Sequence, residues 1–148
     1  MSKIKIVGWV ALAALIIIQF FRIDKTNPEY DVNNDLMNIH PPSEEVKGLL
    51  KNACYDCHSN ESIYPWYTNI APISFWIKGH IDNGRRHLNY SEWGVYSEDK
   101  RSHKIKETIE YVKEGWMPIG SYKIAHSSAR ITDSDREKII GYFQSIKQ

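Results

Sequence analysis

Cysteine is nearly absent from this chain of 148 residues: Cys54 and Cys57 are the only two. A disulfide framework needs several pairs along the chain, so the sequence offers none. An excess of charge of either sign is missing too, with 19 lysines and arginines against 18 aspartates and glutamates and a net charge of +1. A nucleic-acid partner would require a concentrated basic face, and this balance argues against one. Internal repeats and low-complexity segments are lacking. So are alternating strand patterns, which leaves amphipathic helices as the main signal and makes the expected class all-α.

The two cysteines fall in one pentapeptide, Cys54-Tyr55-Asp56-Cys57-His58, a C-x-x-C-H pattern. Two thiols can bond a porphyrin's vinyl groups while the imidazole reaches its iron, which is the pattern of a covalent c-type haem site. On a helical turn Cys54 and Cys57 stand at i and i+3 and point to one side, with His58 next along. Three other readings compete. A thioredoxin-like dithiol would sit near a βαβ pattern, which is missing. A zinc site needs four ligands, and adjacent Cys57 and His58 are poorly placed around one tetrahedral ion. The third is a pair of ordinary buried cysteines beside a chance histidine.

The chain opens with Lys3 and Lys5 before an apolar run from Ile6 to Phe21, broken only by Gln19 and followed by Arg22 and Lys25. At about 1.5 Å per residue the roughly 18 residues from Ile4 to Phe21 just cover a bilayer core. The run ends in Ile18-Gln19-Phe20-Phe21-Arg22 rather than in small residues of a cleavage site, so residues 1–25 are expected to be an uncleaved anchor. Flanking lysines leave its orientation open by charge alone. Covalent haem attachment occurs outside the cytoplasm in bacteria, so the expectation is a single-pass inner-membrane protein, held through residues 4–21, with its haem domain on the periplasmic side. Residues 1–25 carry a local charge of +3, leaving about −2 for the rest.

Residues 26–42 lack a clear period and read as a tether, with Met37 and Ile39 as anchoring side chains. Residues 43–148 read as the domain. Ser43 is a good helix cap, Glu44 and Glu45 suit the helix start, and Val46, Leu49, Leu50 and Ala53 form a stripe leading into Cys54. Further helices are expected over 73–82, stopped by Asn83-Gly84, over 102–114, stopped by Gly115, and from Thr132 or Asp133 to Ile146. Thr132-Asp133-Ser134-Asp135 resembles a capping box.

The helix leading into C-x-x-C-H looks like the first helix of the cytochrome c superfamily. More closely, the chain resembles a family of bacterial haem-binding domain proteins. The matching residues are His40-Pro41-Pro42, Cys54 to Glu61, Tyr64-Pro65-Trp66-Tyr67, Ile70-Ala71-Pro72, Gly84 to Asn89, Ser91-Glu92-Trp93, Gly115 to Pro118, Tyr122 and His126. Ser127 departs from an expected proline. The resemblance implies a cytochrome c-like helical domain around one covalent haem c, in which the first and last helices pack together, with Gly141 as a point of close approach.

Met117, in a loop before the last helix and followed by Pro118, resembles the second iron ligand of cytochromes c. His80, His87, His103 and His126 are the alternatives. The metal ligands are therefore expected to be His58 and Met117, with Cys54 and Cys57 as attachment points. Trp66 and Tyr67 are candidate haem contacts among the aromatics between Ser59 and Ser97. Arg85 or Arg86 can hold a haem propionate, against the alternative of a solvated basic turn. The expected function is a membrane-anchored one-electron carrier with unidentified redox partners. A haem sensor or peroxidase-like enzyme is the second reading, although no motif supplies the polar distal acid or base that peroxide chemistry needs. A haem-dependent interaction module is the third.

Overall fold

In a computed structural model describing residues 2–147, all regular structure is helical. Met1 and Gln148, the outer ends of the expected anchor and haem domain, lie outside the described residues. The helices are α1 (Lys3–Ile18), α2 (Leu36–Ile39), α3 (Glu44–Leu50), α4 (Asp56–His58), α5 (Ile73–His87), α6 (Glu98–Lys113), α7 (Gly120–Ala125) and α8 (Asp133–Ser145), with shorter helical turns between them.

The core is built where α3, α6 and α8 meet the segment after α5. Leu50, Tyr55, Tyr90, Trp93, Ile139 and Phe143 are almost completely buried there. Tyr90 stacks between Tyr55, with ring centres 5.3 Å apart, and Phe143, at 6.2 Å. Such stacked rings add about 0.5–1.5 kcal/mol per pair beyond the area they bury. The first and last helices of the expected domain do pack together. Across the α3–α8 seam Lys138 meets Glu45 at 2.6 Å and the Tyr142 hydroxyl donates to the His40 carbonyl at 2.7 Å. Gly141 plays no part in this approach, since a Cβ there would meet nothing within 4 Å.

The caps explain the helix boundaries. The Ser43 hydroxyl accepts from the Val46 amide, and Thr132 and Asp135 form the expected capping box. The helix expected from residue 102 starts earlier, because Ser97 caps it by accepting from the Lys100 amide. It ends as expected at Gly115, whose φ of 74° lies in the left-handed region that glycine tolerates best.

Two expectations need correction at the N-terminus. No helix among the described residues is long and apolar enough to cross a membrane, which overturns the transmembrane anchor and the single-pass localisation drawn from it. The apolar run does form α1, but the helix spans 16 residues, about 24 Å of rise against a bilayer core of about 30 Å. It stops just before Gln19, the one polar residue of the apolar run, which finds a partner in the domain. Gln19 donates to the Ala71 carbonyl at 2.9 Å and accepts from the Ala71 amide at 3.0 Å, while Arg22 and Lys25 bond Asn69.

Part of the expected tether is likewise built into the domain. Leu36 and Met37 are buried in the core, and Asp35 takes hydrogen bonds from the Tyr55 hydroxyl at 2.8 Å and the Met37 amide at 2.9 Å.

Candidate functional site

The helix that begins at Glu44 runs into the cysteines through one wider turn. After α3 the backbone adopts π-helical bonding over Lys51–Tyr55 and returns to α geometry in α4. The regular i, i+3 spacing assumed from the sequence is therefore loosened just at Cys54. Single π turns of this kind are frequent at functional sites.

Cys54 and Cys57 are free, half-buried thiols that line one cavity of about 360 Å³. Burial pushes the Cys54 thiol up to about 12 and the Cys57 thiol up to about 11, with the neighbouring Cys57 and Asp56 adding to the respective effects. Both are protonated near neutral pH. A thioredoxin-like dithiol works through the opposite condition, a thiol acidified by its surroundings.

His58 lines the same cavity. Its Nδ1 lies 3.1 Å from the Gly84 carbonyl and 3.1 Å from the Leu88 carbonyl. Carbonyl oxygens can only accept, so Nδ1 carries the hydrogen and Nε2 is left with its lone pair. Burial lowers the pKa of His58 and outweighs the two carbonyls, which pull the other way. The ring is thus held in the neutral form and single tautomer that an iron ligand requires.

Those two carbonyls are in reach because α5 is longer than the sequence suggests. The helix expected to stop at Asn83-Gly84 continues to His87. Gly84 serves contact instead of termination: a Cβ there would overlap the Cys57 carbonyl oxygen and stand 3.1 Å from that carbonyl's carbon. The bare α-carbon lets α5 lie directly on α4.

Met117 also lines this cavity. Its loop is fixed from behind, because the Met117 amide donates to the Tyr111 carbonyl at 3.1 Å and Arg136 donates to the carbonyls of Val112 and Met117 at 2.8 and 3.2 Å. The structure therefore brings Cys54, Cys57, His58 and Met117 to the lining of one cavity. Of the alternative histidines, His80 and His87 line it as well, whereas His103 pairs with Glu107 at 3.1 Å. His126 lines a neighbouring cavity of about 240 Å³, which shares Cys57, His80, Ile119 and Tyr122 with the first.

The remaining expected site residues are dispersed. Tyr67 lines the neighbouring cavity and its hydroxyl lies 3.1 Å from the His126 ring nitrogens. Trp66 is 73% exposed and borders neither cavity. Arg85 donates to the Ser59 carbonyl, Asn27 and the Ser62 hydroxyl at 2.7–2.8 Å, which ties the turn after the motif in place. Arg86 is exposed and bonds Asn83. Neither arginine lines a cavity.

Several polar residues after the motif act as fasteners. The Asn60 amide donates to the Ser91 hydroxyl at 3.0 Å, and the Asn89 side chain donates to the Asn60 side chain at 2.9 Å. All three residues are buried, so these bonds tie the C-x-x-C-H turn to the segment after α5. Asp56, inside the motif, accepts from the Tyr122 hydroxyl at 2.6 Å, which binds α7 to the same turn. Sequence reasoning missed the two carbonyl acceptors, because a backbone oxygen leaves no residue signature. It also missed Arg136 and Lys104, which look like ordinary surface charges on amphipathic helices.

The donor set suits a flat apolar macrocycle bearing an iron: an oriented neutral imidazole, two protonated thiols and a thioether around a largely apolar cavity. It does not suit a bare metal ion, since no three histidine, cysteine, aspartate or glutamate side chains among the described residues gather as a metal site. Residues 13–145 match a protein family described as the haem-binding domain. The chain belongs to that family. Haem is thus the cofactor, and the match takes in the last part of α1 and the segment expected to be a tether. No curated protein and no solved structure matches the chain.

Proposed function

We propose that this haem-binding domain is a monohaem c-type cytochrome that carries single electrons. Cys54 and Cys57 hold the haem through thioethers, His58 is the proximal ligand through Nε2, and Met117 is the distal one. The observation that carries this reading is the His58 ring, fixed by the Gly84 and Leu88 carbonyls beside both thiols in a cavity whose wall includes Met117. When bound, haem supplies a one-electron iron couple. The chain's part is to hold the imidazole neutral and aligned, keep the thiols protonated and out of disulfide exchange until the thioethers form, and surround the ring with apolar walls. The Arg136 clamp holds the Met117 loop ready, which favours electron transfer because little has to move when the iron changes charge.

A second reading rests on His80 and His87. Either can replace Met117 as the distal ligand, and a bis-histidine site has a lower reduction potential than a histidine–methionine one. If the distal position is exchangeable, the domain is instead a gas sensor or a peroxidase-like enzyme.

The test is the visible spectrum of full-length protein produced with a cytochrome c maturation system, oxidised, reduced and then exposed to carbon monoxide. The expected result is haem that stays with the denatured polypeptide, a low-spin spectrum with a methionine-to-iron band, and no response to the gas. Loss of that band in Met117→Ala, with His80→Ala and His87→Ala unaffected, identifies the distal ligand. High-spin iron that takes up carbon monoxide would exclude the electron-carrier reading, and haem extracted by acid solvent would exclude covalent attachment.

A further inference from the structure

Haem carries two carboxylates, and a carboxylate entering a mostly apolar cavity must meet a positive partner or remain in water. The chain has 19 lysines and arginines. Lys104 alone among them lines either cavity. It lies on α6, where Lys104, Glu107, Thr108, Tyr111 and Val112 recur at helical spacing along the cavity wall. The Lys104 side chain is only 14% exposed and its Nζ is 2.6 Å from Glu107. Arg85 is committed to three other acceptors, and Arg86 is exposed and bonds Asn83.

We propose that Lys104 binds a haem carboxylate. The inference rests on the haem occupying the cavity as set out above, and it moves the carboxylate contact from α5 to α6. Glu107, which also lines the cavity, would repel an incoming carboxylate if its own charge were uncompensated. His103 stands on its other side, 3.1 Å from Oε1, while Lys104 faces Oε2. Glu107 therefore keeps a partner when Lys104 turns toward the ligand.

Iron mesoporphyrin tests this without covalent chemistry, because ethyl groups replace its vinyls and no thioether forms. Its affinity and that of its dimethyl ester, in which both carboxylates are neutralised, are measured by Soret titration of the full-length apoprotein. The wild type is expected to bind the free acid about tenfold tighter than the ester, as befits a charge-assisted bond. Lys104→Gln should lose that preference while keeping its affinity for the ester, Lys104→Arg should retain it, and Lys106→Gln, an exposed position on α6, should match the wild type. A preference that survives in Lys104→Gln would overturn the assignment, as would an equal weakening toward both porphyrins, which marks a purely structural role. His58→Ala separates this from the larger reading: if it leaves both affinities and both Soret bands unchanged, the haem does not sit in this cavity and the Lys104 proposal falls with it.

Discussion

Adding one methyl group at Gly84 tests the contact on which the site's geometry depends. The new Cβ would overlap the Cys57 carbonyl oxygen and press on the Cys57 carbonyl carbon and Cβ, each at 3.1 Å. Two of these three atoms are backbone, so relief requires α5 to move off α4. Overpacking of this kind costs about 1–3 kcal/mol. Displacing α5 also stretches the His58 bonds to Gly84 and Leu88, worth about 1 kcal/mol net. Against this, exchanging glycine for alanine within a helix gains about 1 kcal/mol. Gly84→Ala should therefore lose about 1–3 kcal/mol. Gly79→Ala in the same helix isolates the propensity gain, because a Cβ there meets nothing within 4 Å, and it should be stabilised by up to about 1 kcal/mol. Urea unfolding of the two apoproteins gives the difference directly, with unchanged slopes showing that only stability has moved. In haem-loaded protein the Gly84 variant alone should show altered iron-ligand bands, since only there is the imidazole dislodged. Equal stability in the two variants would refute the argument that Gly84 is present for contact.

Three further outcomes are expected. At pH 8 about one Cys57 thiol in a thousand is ionised if its pKa is about 11, against roughly a quarter of free thiols, so alkylation of the folded apoprotein should run about two hundredfold slower than in urea and accelerate toward pH 11; a rate equal to that of the unfolded chain would contradict the burial argument. Tyr55→Phe removes a buried donor from Asp35, whose other oxygen has no partner, and should cost about 1–3 kcal/mol in thermal or urea unfolding. Burial already raises the Asp35 pKa, so the folded state there binds more protons than the unfolded one: stability gained from this group is present at acid pH and lost as pH rises through the folded pKa, and the deficit of the variant should shrink on acidification. Arg136→Gln frees the carbonyls of Val112 and Met117 and should lose about 1–2 kcal/mol in the same unfolding assay, with a weakened methionine-to-iron band in the haem-loaded protein if Met117 is the ligand.

What could be read from the sequence divides by the range of the interaction. Ser43, Thr132 with Asp135, and Gly115 were legible because caps act within a few residues and depend on side-chain chemistry alone. The all-α class followed from the apolar stripes. The cysteine–histidine pentapeptide was legible for the same local reason. The aromatics between Ser59 and Ser97 were not resolvable into roles, since Trp93 and Tyr90 are buried in the core while Trp66 and Trp76 are more than half exposed, and nothing local distinguishes them. The N-terminal run was misjudged because hydropathy says nothing of where a helix stops. Gln19, counted as a lone interruption, is held by both backbone groups of Ala71, 52 residues away.

Gly84 shows why the central feature of the site stayed hidden while its parts were visible. Asn83-Gly84 followed by two arginines is a sound helix-stop signal when α5 is considered alone. In the folded chain the glycine answers to Cys57, and the arginine after it answers to Ser59 and Ser62, so both are addressed to the motif and neither to the end of their own helix. The same extension of α5 places the Gly84 and Leu88 carbonyls on His58. One long-range contact thus converts a breaker into an interior residue, sets the tautomer of the His58 imidazole, and commits Arg85 to acceptors other than a ligand. The residues that remain free to meet a charged ligand must then come from another wall of the cavity, and α6 supplies Lys104 there.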